Sequence, residues 1–318
     1  MRPARLSYDD HRHRCSGEIE VAFVNNMSGG ARGGSDRQFV RLLQAASGPA
    51  TIAVHRYCGG LDAPPPGSVD HAGYAPLSAL FEHRPDAVVV TGCEPSTERL
   101  VDEEFWPELL RLLDWIADRN VPAFLSCLSA HGALLAYEGI ERRRLAAKCT
   151  GVFRQCIDHT HHLGHELHDP LVMPHSRFND IALNDVTRAG YAPVIYSDAV
   201  GWSVVSKEHH GSVLVLAQGH PEYEGATLLR EYRRDVRRFL EGSRPDLPSL
   251  PVDCVAPSDA EALQRFQNRL VTGEYSNDCL SELPFDAVAA RAPCGWAATS
   301  AGLFANWLES IGRTVATR

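Results

Sequence analysis

The chain has 318 residues, of which 44% are hydrophobic, and its formal net charge at pH 7 is −9. This acidic balance argues against a nucleic-acid or anionic-membrane surface, which would need a basic stripe, and favours small polar molecules as partners. No apolar run reaches the ~18 residues of a membrane span, and the first twenty residues lack an apolar signal core, which predicts a soluble, cytoplasmic protein. Nine cysteines without CxxC spacing favour reduced thiols.

The first part of the chain predicts alternating strands and helices. Apolar, β-branched runs at 20–26, 51–57, 86–92 and 122–127 are typical of buried strands, and runs at 37–47, 76–83 and 103–120 are typical of helices. The glycine-rich segment 29–34 is expected to form a flexible surface loop, although its backbone amides could instead cradle ligand phosphates. Such alternation predicts an α/β fold with a mainly parallel sheet and helices on both sides. Functional sites of such sheets collect at the carboxyl ends of strands, where Gly92 and Cys127 fall.

The pattern is looser beyond residue 150. Segment 154–184 is expected to be an insertion that folds over the site, before strands return at 192–197, 201–208 and 212–220 and a strong helix covers 225–242. A proline-rich linker at 244–253 then leads to a helical end. The sequence therefore predicts one α/β catalytic domain over 1–243, followed by a linker and a C-terminal helical extension over 244–318 that packs on it.

A candidate nucleophile ends the fourth strand pattern. Cys127 closes an apolar run and is followed at once by a helix, whose N-terminus would favour a thiolate. His220 and Glu222 follow another buried-strand pattern. Residues two apart in an extended segment point the same way, so this carboxylate can orient the imidazole. The three residues indicate a Cys-His-Glu acyl-transfer site, although a lone cysteine such as Cys127 is more often a buried structural residue.

Several segments match one known enzyme family in order and spacing: VTG (90–92), FWPELLRLLDW (105–115), SCLSAHGALLAYEGI (126–140), KCTGVF (148–153), PHSRFND (174–180), GHPEYEGATLLREYRRD (219–235) and LFANWL (303–308). The chain thereby resembles the homoserine O-acyltransferases of the MetA type, also called homoserine trans-succinylases. The resemblance implies a flavodoxin-like, class I glutamine-amidotransferase-like three-layer sandwich. It also implies a place in methionine biosynthesis and a homodimer.

The resemblance further implies ping-pong acyl transfer from an acyl-CoA, as co-substrate rather than bound cofactor, to the hydroxyl of L-homoserine. Cys127 falls on the thioester-forming position, His220 on the general acid/base and Glu222 on its partner. Three more positions fall on the family's substrate-contacting residues: Lys148, Ser176 and Arg234. A guanidinium and a hydroxyl suit a carboxylate ligand. Without the resemblance, Lys148 and Arg234 would read as surface charges.

The oxyanion hole is expected to use backbone N–H groups. One would come from Leu128, just after the nucleophile, and one from the loop after Gly92. The family's usual TGAP is TGCEPS here, so an alignment that matches the prolines makes Ser96 the second donor. Pro95 itself has no N–H to donate.

The same segment contains the position that the resemblance links to acyl-group specificity. An alignment without gaps places Ser96 on the family's acyl-selecting position, whereas matching the prolines places Thr97 there. Both side chains are small, which favours succinyl-CoA, while the nearby carboxylate of Glu94 leaves acetyl-CoA open. Serine or another small hydroxy amino acid stays open as the acceptor.

Two other functions remain to be separated from acyl transfer. A glutamine amidotransferase-type hydrolase would use the same three residues, but the SCLSAHG segment lacks the glycine-flanked cysteine usual there. A non-catalytic binding protein could keep the fold. The histidine-rich stretch 159–168 has no zinc-finger or HExxH spacing, so a mobile lid is the simpler interpretation than a metal site.

Overall fold

The computed structural model describes residues 18–48, 51–60, 63–169, 171–209, 212–275, 279–282 and 285–316. These residues form one ten-stranded sheet with helices on both faces. The strands are β1 (Glu18–Val24), β2 (Thr51–Cys58), β3 (Tyr74–Pro76), β4 (Ala87–Val90), β5 (Ala123–Ser126), β6 (Arg143–Ile157), β7 (Leu171–Asp180), β8 (Ala192–Ser197), β9 (Gly201–His209) and β10 (Ser212–Ala217). The helices are α1 (Gly29–Ala46), α2 (Leu77–Leu80), α3 (Trp106–Arg119), α4 (Leu128–Glu138), α5 (Leu183–Arg188), α6 (Thr227–Leu240), α7 (Pro257–Thr272), α8 (Phe285–Arg291) and α9 (Ala297–Ala316).

The strand order is β3-β2-β1-β4-β5-β10-β9-β8-β6-β7. Neighbours from β3 to β10 are parallel, and those from β10 to β7 are antiparallel. The parallel half carries the α/β alternation that the sequence predicts, and the predicted fold class is confirmed. Its strands end at the edge that holds Gly92 and Cys127.

Alternation along β1 shows why its apolar run has no polar breaks. Val21 and Phe23 pack into a core shared with α1 and α9, whereas Ala22 and Val24 pack into the opposite core with α3 and α4. A strand buried on both faces needs apolar residues at successive positions. Full burial of a valine or phenylalanine side chain stabilises the folded protein by about 1.5–3 kcal/mol.

The glycine-rich segment 29–34 is not the predicted surface loop but the first turns of α1. Gly29 has a φ of +52°, which a glycine adopts without strain as the chain turns from β1 into the helix. The helix persists because Phe39, Leu42 and Leu43 bury its later turns against the sheet. Tertiary packing here outweighs the low helix propensity of glycine.

Segment 154–184 is built largely of strands, and its role as an insertion over the site stays a prediction. It contains the end of β6 and all of β7, which pair antiparallel with Gly151 opposite His175. Val252 braces this hairpin by accepting a hydrogen bond from Val152 N–H (2.8 Å) and donating one to the Thr150 carbonyl (3.1 Å). The alternation of polar and apolar residues is irregular in both strands, which is why periodicity missed them.

The histidine-rich stretch 159–168 lies between these two strands and is anchored on α9. Leu163 and Leu167 are buried in the same core as α9. The Asn306 side chain of α9 donates to the carbonyls of Leu163 (3.1 Å) and His165 (2.8 Å). A cavity opens above Cys127 at the carboxyl edge of the sheet, and none of the described residues that line it comes from this stretch.

The C-terminal helices pack on the α/β unit in two places. Helices α7 and α8 share a small core with α6, in which Phe266 and Val288 meet Tyr232. Helix α9 joins the central core, where the Phe304 ring lies 4.5 Å from that of Phe124 in β5. The domain boundary at residue 243 stays a prediction. Among the described residues, none of the helices combines the length and the hydrophobicity that a membrane span requires.

Candidate active site

Cys127 occupies a sharp turn between β5 and α4. Its φ of 54° and ψ of −113° are unfavourable for a residue with a Cβ. Hydrogen bonds hold the turn on both sides, since Cys127 N–H donates to the Ala217 carbonyl (2.6 Å) and its carbonyl accepts from His131 N–H (3.2 Å). Strain of this kind persists only where the surroundings over-determine it, and it clusters at functional sites. The turn presents the thiol at the carboxyl edge of the sheet, which is the position that a nucleophile elbow gives to its nucleophile.

His220 and Glu222 reach this edge because β10 lies beside β5, with Ala217 opposite Ser126. The Nδ1 atom of His220 lies 2.8 Å from Oε1 of Glu222, and both side chains are buried. This contact fixes the tautomer that leaves Nε2 for the thiol. Nε2 is buried and makes no hydrogen bond of ordinary geometry to any described residue, which leaves it available to the sulfur and to substrate.

The electrostatics of His220 favour an imidazolium. Burial by itself would lower the pKa of His220, but the Glu222 carboxylate and the Cys127 sulfur together raise it well above its usual value. The Tyr223 ring stacks on the imidazole with 4.2 Å between ring centres. A proton taken from Cys127 is therefore stabilised on His220.

Gly92 borders the proposed oxyanion hole. A Cβ built on Gly92 would lie 3.0 Å from the Leu128 nitrogen and 3.0 Å from the Cys127 Cβ. The next residue, Cys93, also lines the cavity. Burial raises the pKa of the Cys93 thiol to about 12, which favours the protonated form at neutral pH.

Ser96 is placed differently from its predicted role. Its N–H donates to the Glu103 carboxylate (3.0 and 3.2 Å), as does its hydroxyl (2.7 Å), and Thr97 N–H donates to the same group (2.9 Å). Burial would raise the pKa of Glu103, but these donors hold it below its usual value. In this arrangement the Ser96 amide is not free to serve as an oxyanion donor. Neither Ser96 nor Thr97 is among the described residues that line the cavity, whereas Glu94 and Pro95 are.

A cavity of about 620 Å³ opens above Cys127. The three predicted substrate-contacting residues, Lys148, Ser176 and Arg234, all line it together with Cys127, His220 and Glu222. They come from distant parts of the chain: β6, β7 and α6. The structure thus brings the predicted catalytic and substrate-contacting side chains into one site.

Glu231 links these substrate-contacting groups, and sequence reasoning missed it. Its carboxylate accepts from the Ser176 hydroxyl, from the Tyr223 hydroxyl (2.6 Å) and from Lys148 Nζ (3.4 Å). Burial opposes ionisation, but Lys148 and the two hydroxyls lower the pKa of Glu231 below its usual value. The cavity therefore holds a carboxylate suited to an ammonium group.

Asp235 is the second missed acid. Its buried carboxylate lies 3.0 Å from Lys148 Nζ and 2.8 Å from an Arg234 nitrogen. Glu231 and Asp235 lie four residues apart on α6 and therefore share a helix face, which is the one signal that the sequence offered. Lys148 is held between them, and Asp235 orients Arg234.

The described His, Cys, Asp and Glu residues contain one group close enough to share a metal ion, and it does not involve the histidine-rich stretch. Its members are Glu20, His55 and His83, whose ligand atoms lie within 4.8 Å of one another. None of them lines the cavity. His159 of the histidine-rich stretch instead pairs with Asp169 at 2.9 Å.

Comparison with known proteins decides the family. The family profile described as "HTS: Homoserine O-succinyltransferase" matches residues 6–316. The chain belongs to the homoserine O-succinyltransferase family. It is 36% identical over 317 residues to a homoserine O-succinyltransferase of Rhodopseudomonas palustris, and the alignment covers 97% of this chain and 94% of the relative. It is 38% identical over 304 residues to one of Methylorubrum extorquens, which covers 94% of this chain and 88% of the relative.

The family assignment confirms the resemblance found in the sequence and shows that the chain is an acyltransferase-type enzyme that uses an acyl-CoA as co-substrate. Among solved structures, the chain is similar to a glutamine amidotransferase of Methylobacillus flagellatus. The TM-score is 0.51 at 14% identity, over 92% of this chain and 95% of that chain. This likeness shows a shared fold and says nothing about the reaction.

Proposed function

We propose that this chain transfers a succinyl group from succinyl-CoA to the hydroxyl of L-homoserine through a thioester on Cys127. The homoserine O-succinyltransferase family and the names of the relatives support this reaction, and with it a role in methionine biosynthesis. The observation that carries the mechanism is that Cys127, His220 and Glu222 line one cavity. Lys148, Glu231 and Arg234 line the same cavity. A homodimer stays a prediction.

The first half-reaction loads the enzyme. The Cys127 sulfur attacks the thioester carbonyl of succinyl-CoA while His220 accepts the thiol proton. Leu128 N–H stabilises the oxyanion of the tetrahedral intermediate. When this intermediate collapses, the bond to the CoA sulfur breaks and His220 returns the proton to the leaving thiolate. Glu222 orients the ring and stabilises its charge throughout.

The second half-reaction transfers the succinyl group from Cys127 to homoserine. The homoserine hydroxyl attacks the Cys127 thioester while His220 accepts the hydroxyl proton, and the Cys127 sulfur leaves as the thiolate that the imidazolium stabilises. Glu231 would hold the homoserine ammonium, and Arg234 with Lys148 would hold its carboxylate. These contacts place the hydroxyl rather than the amine at the thioester.

The experiment is a CoA-release assay on wild-type protein and a Cys127→Ser variant, with succinyl-CoA or acetyl-CoA and with homoserine, serine or glutamine. Sustained CoA release that needs both succinyl-CoA and homoserine, and that Cys127→Ser abolishes, is the expected result. Ammonia release from glutamine would instead indicate an amidotransferase-type hydrolase. Tight binding of the substrates without turnover would indicate a binding protein and would overturn the proposal.

A further inference from the structure

Arg142 is a buried guanidinium beside the nucleophile for which the mechanism above has no use. Its side chain is 4% exposed, and it lines the same cavity as Cys127. The sulfurs of Cys127 and Cys93 are close enough to act electrostatically on its charge. Burying an arginine is costly unless its donors and its charge are satisfied, so its surroundings show what it is built to bind.

The hydrogen bonds of Arg142 are incomplete. Nη2 donates to the carbonyls of Thr97 (3.1 Å) and Glu98 (3.1 Å). Nε is buried and has no hydrogen-bond partner among the described residues. A buried donor without a partner is destabilising, and a bound acceptor would recover that loss.

The charge of Arg142 is also only partly balanced. Its nearest carboxylate, Glu103, lies 3.9 Å away and accepts its hydrogen bonds from Ser96 and Thr97. Lys148 and Arg234, which line the same cavity, are better paired. Asp235 lies 3.0 Å from Lys148 and 2.8 Å from Arg234.

Arg177 is the closest comparison, because it is equally buried, lines the cavity and also has an unpartnered Nε. Its charge, however, is paired with Asp180 at 3.1 Å, and it also donates to the Val200 carbonyl at 2.8 Å. The sulfur that it contacts is Cys149 (3.5 Å), not Cys127. Arg142 is therefore the described arginine that combines a spare buried donor, a poorly balanced charge and proximity to the nucleophile.

We propose that Arg142 binds the distal carboxylate of the succinyl group while the acyl chain is carried by Cys127. This inference rests on the proposed function, since it names how the donor is recognised. A succinyl group differs from an acetyl group by a carboxylate two methylenes beyond the thioester carbonyl, and arginine is the side chain best suited to bind one. The homoserine carboxylate has its own cations in Lys148 and Arg234.

The proposal also gives segment 91–98 a different part in acyl choice from the one expected. The sequence pointed to the side chains of Ser96 or Thr97 as the selector. In the structure, the carbonyls of Thr97 and Glu98 hold the Arg142 guanidinium, so the loop acts by aiming this arginine. Arg142 itself lies just before β6, outside that segment.

The test compares kcat/KM for succinyl-CoA and acetyl-CoA, with homoserine as acceptor, in wild-type protein and in Arg142→Gln and Arg142→Lys. Loss of a charged hydrogen bond should lower the succinyl-to-acetyl ratio about 10–100-fold in Arg142→Gln, with a smaller loss in Arg142→Lys. Arg143→Gln, the exposed neighbouring arginine that pairs with Asp180, should leave the ratio unchanged. Arg177→Gln should affect both donors by similar factors.

If Arg142→Gln lowers kcat/KM equally for both donors, Arg142 is only an anchor for the loop and the proposal is overturned. A second measurement uses only the wild-type protein, so its result does not depend on whether a variant folds. Wild-type protein should prefer succinyl-CoA to butyryl-CoA, which has a methyl group in place of the carboxylate, and equal use of both also overturns the proposal. If the wild-type protein releases CoA from none of the donors, the proposed function itself is overturned. If the wild-type protein is active and its preference for succinyl-CoA is kept in Arg142→Gln, only the role of Arg142 is overturned.

Discussion

Gly92 lies against Cys127 so closely that a Cβ on Gly92 would be 3.0 Å from the Cys127 Cβ and 3.0 Å from the Leu128 nitrogen. Gly92→Ala should therefore crowd the Leu128 N–H and displace the sulfur. Loss of one oxyanion donor lowers kcat about 10²–10³-fold, and we expect a loss of that order. Steady-state kinetics with succinyl-CoA and homoserine would measure it.

A matched control lies in α1. A Cβ at Gly33 would meet only the end of the Arg37 side chain, at 3.9 Å. Gly33→Ala should keep full activity and stabilise the protein by about 0.4–1 kcal/mol, because it reduces the freedom of the unfolded chain. Full activity of Gly92→Ala would show that the space beside Leu128 N–H is not used in the reaction.

Glu222→Gln should slow the reaction and change its pH dependence. The carboxylate raises the pKa of His220, so its removal should lower that pKa and leave only the Cys127 sulfur to oppose burial. The imidazolium then forms only at lower pH, and kcat should fall about 10²–10⁴-fold. NMR titration of His220 together with the pH profile of kcat/KM would measure both effects. A His220 pKa that stays raised in the variant would assign the effect to another group.

Lys148→Met should destabilise the protein as well as impair homoserine binding. The change leaves the buried carboxylates of Glu231 and Asp235 without their shared cation. Breaking a buried pair in this way costs about 3–5 kcal/mol, which urea unfolding at neutral pH would detect. Lys207→Met, which breaks a partly exposed pair with Glu138, should cost no more than about 1 kcal/mol. Equal losses in the two variants would contradict the burial argument.

His131 should make folding stability depend on pH in the mildly acidic range. Burial lowers the pKa of His131 from 6.5 to about 4, and its Nε2 lies 2.9 Å from the Gln218 side-chain oxygen. The unfolded chain then binds more protons than the folded one between these values, so stability is fully present above pH 6.5 and falls as the pH drops towards 4. The loss should reach about 3 kcal/mol.

The measurement is the free energy of unfolding at several pH values for wild-type protein and His131→Gln. The variant should be less stable at neutral pH but should show a flatter slope between pH 6.5 and 4. An identical slope would mean that other groups cause the acid sensitivity.

Much of the parallel half of the fold could be predicted because its strands are buried on both faces. The segments 86–92 and 122–127 each contain an uninterrupted run of apolar residues, which is typical of such a strand. Strands β6 and β7 could not be predicted, because their residues mix exposed and buried positions irregularly and Val252 supplies part of their support from far along the chain. The start of α1 was missed because the packing of its later turns, not local propensity, makes it helical.

The candidate site divides in the same way. Cys127, His220 and Glu222 follow strand patterns directly, so their positions could be read from the sequence. The roles of Glu231 and Arg142 could not be predicted, because they follow from contacts with side chains and carbonyls that lie far away in the sequence. Ser96 was assigned to the oxyanion hole because alignment cannot show that Glu103 occupies its N–H.

The most direct test is mass spectrometry of the wild-type protein mixed with succinyl-CoA in the absence of homoserine. The account predicts that the peptide containing Cys127 gains the mass of a succinyl group, that CoA is released in equal amount, and that homoserine removes the label as O-succinylhomoserine. If that peptide stays unmodified while turnover proceeds with both substrates, the acyl group never resides on Cys127 and the covalent mechanism is wrong.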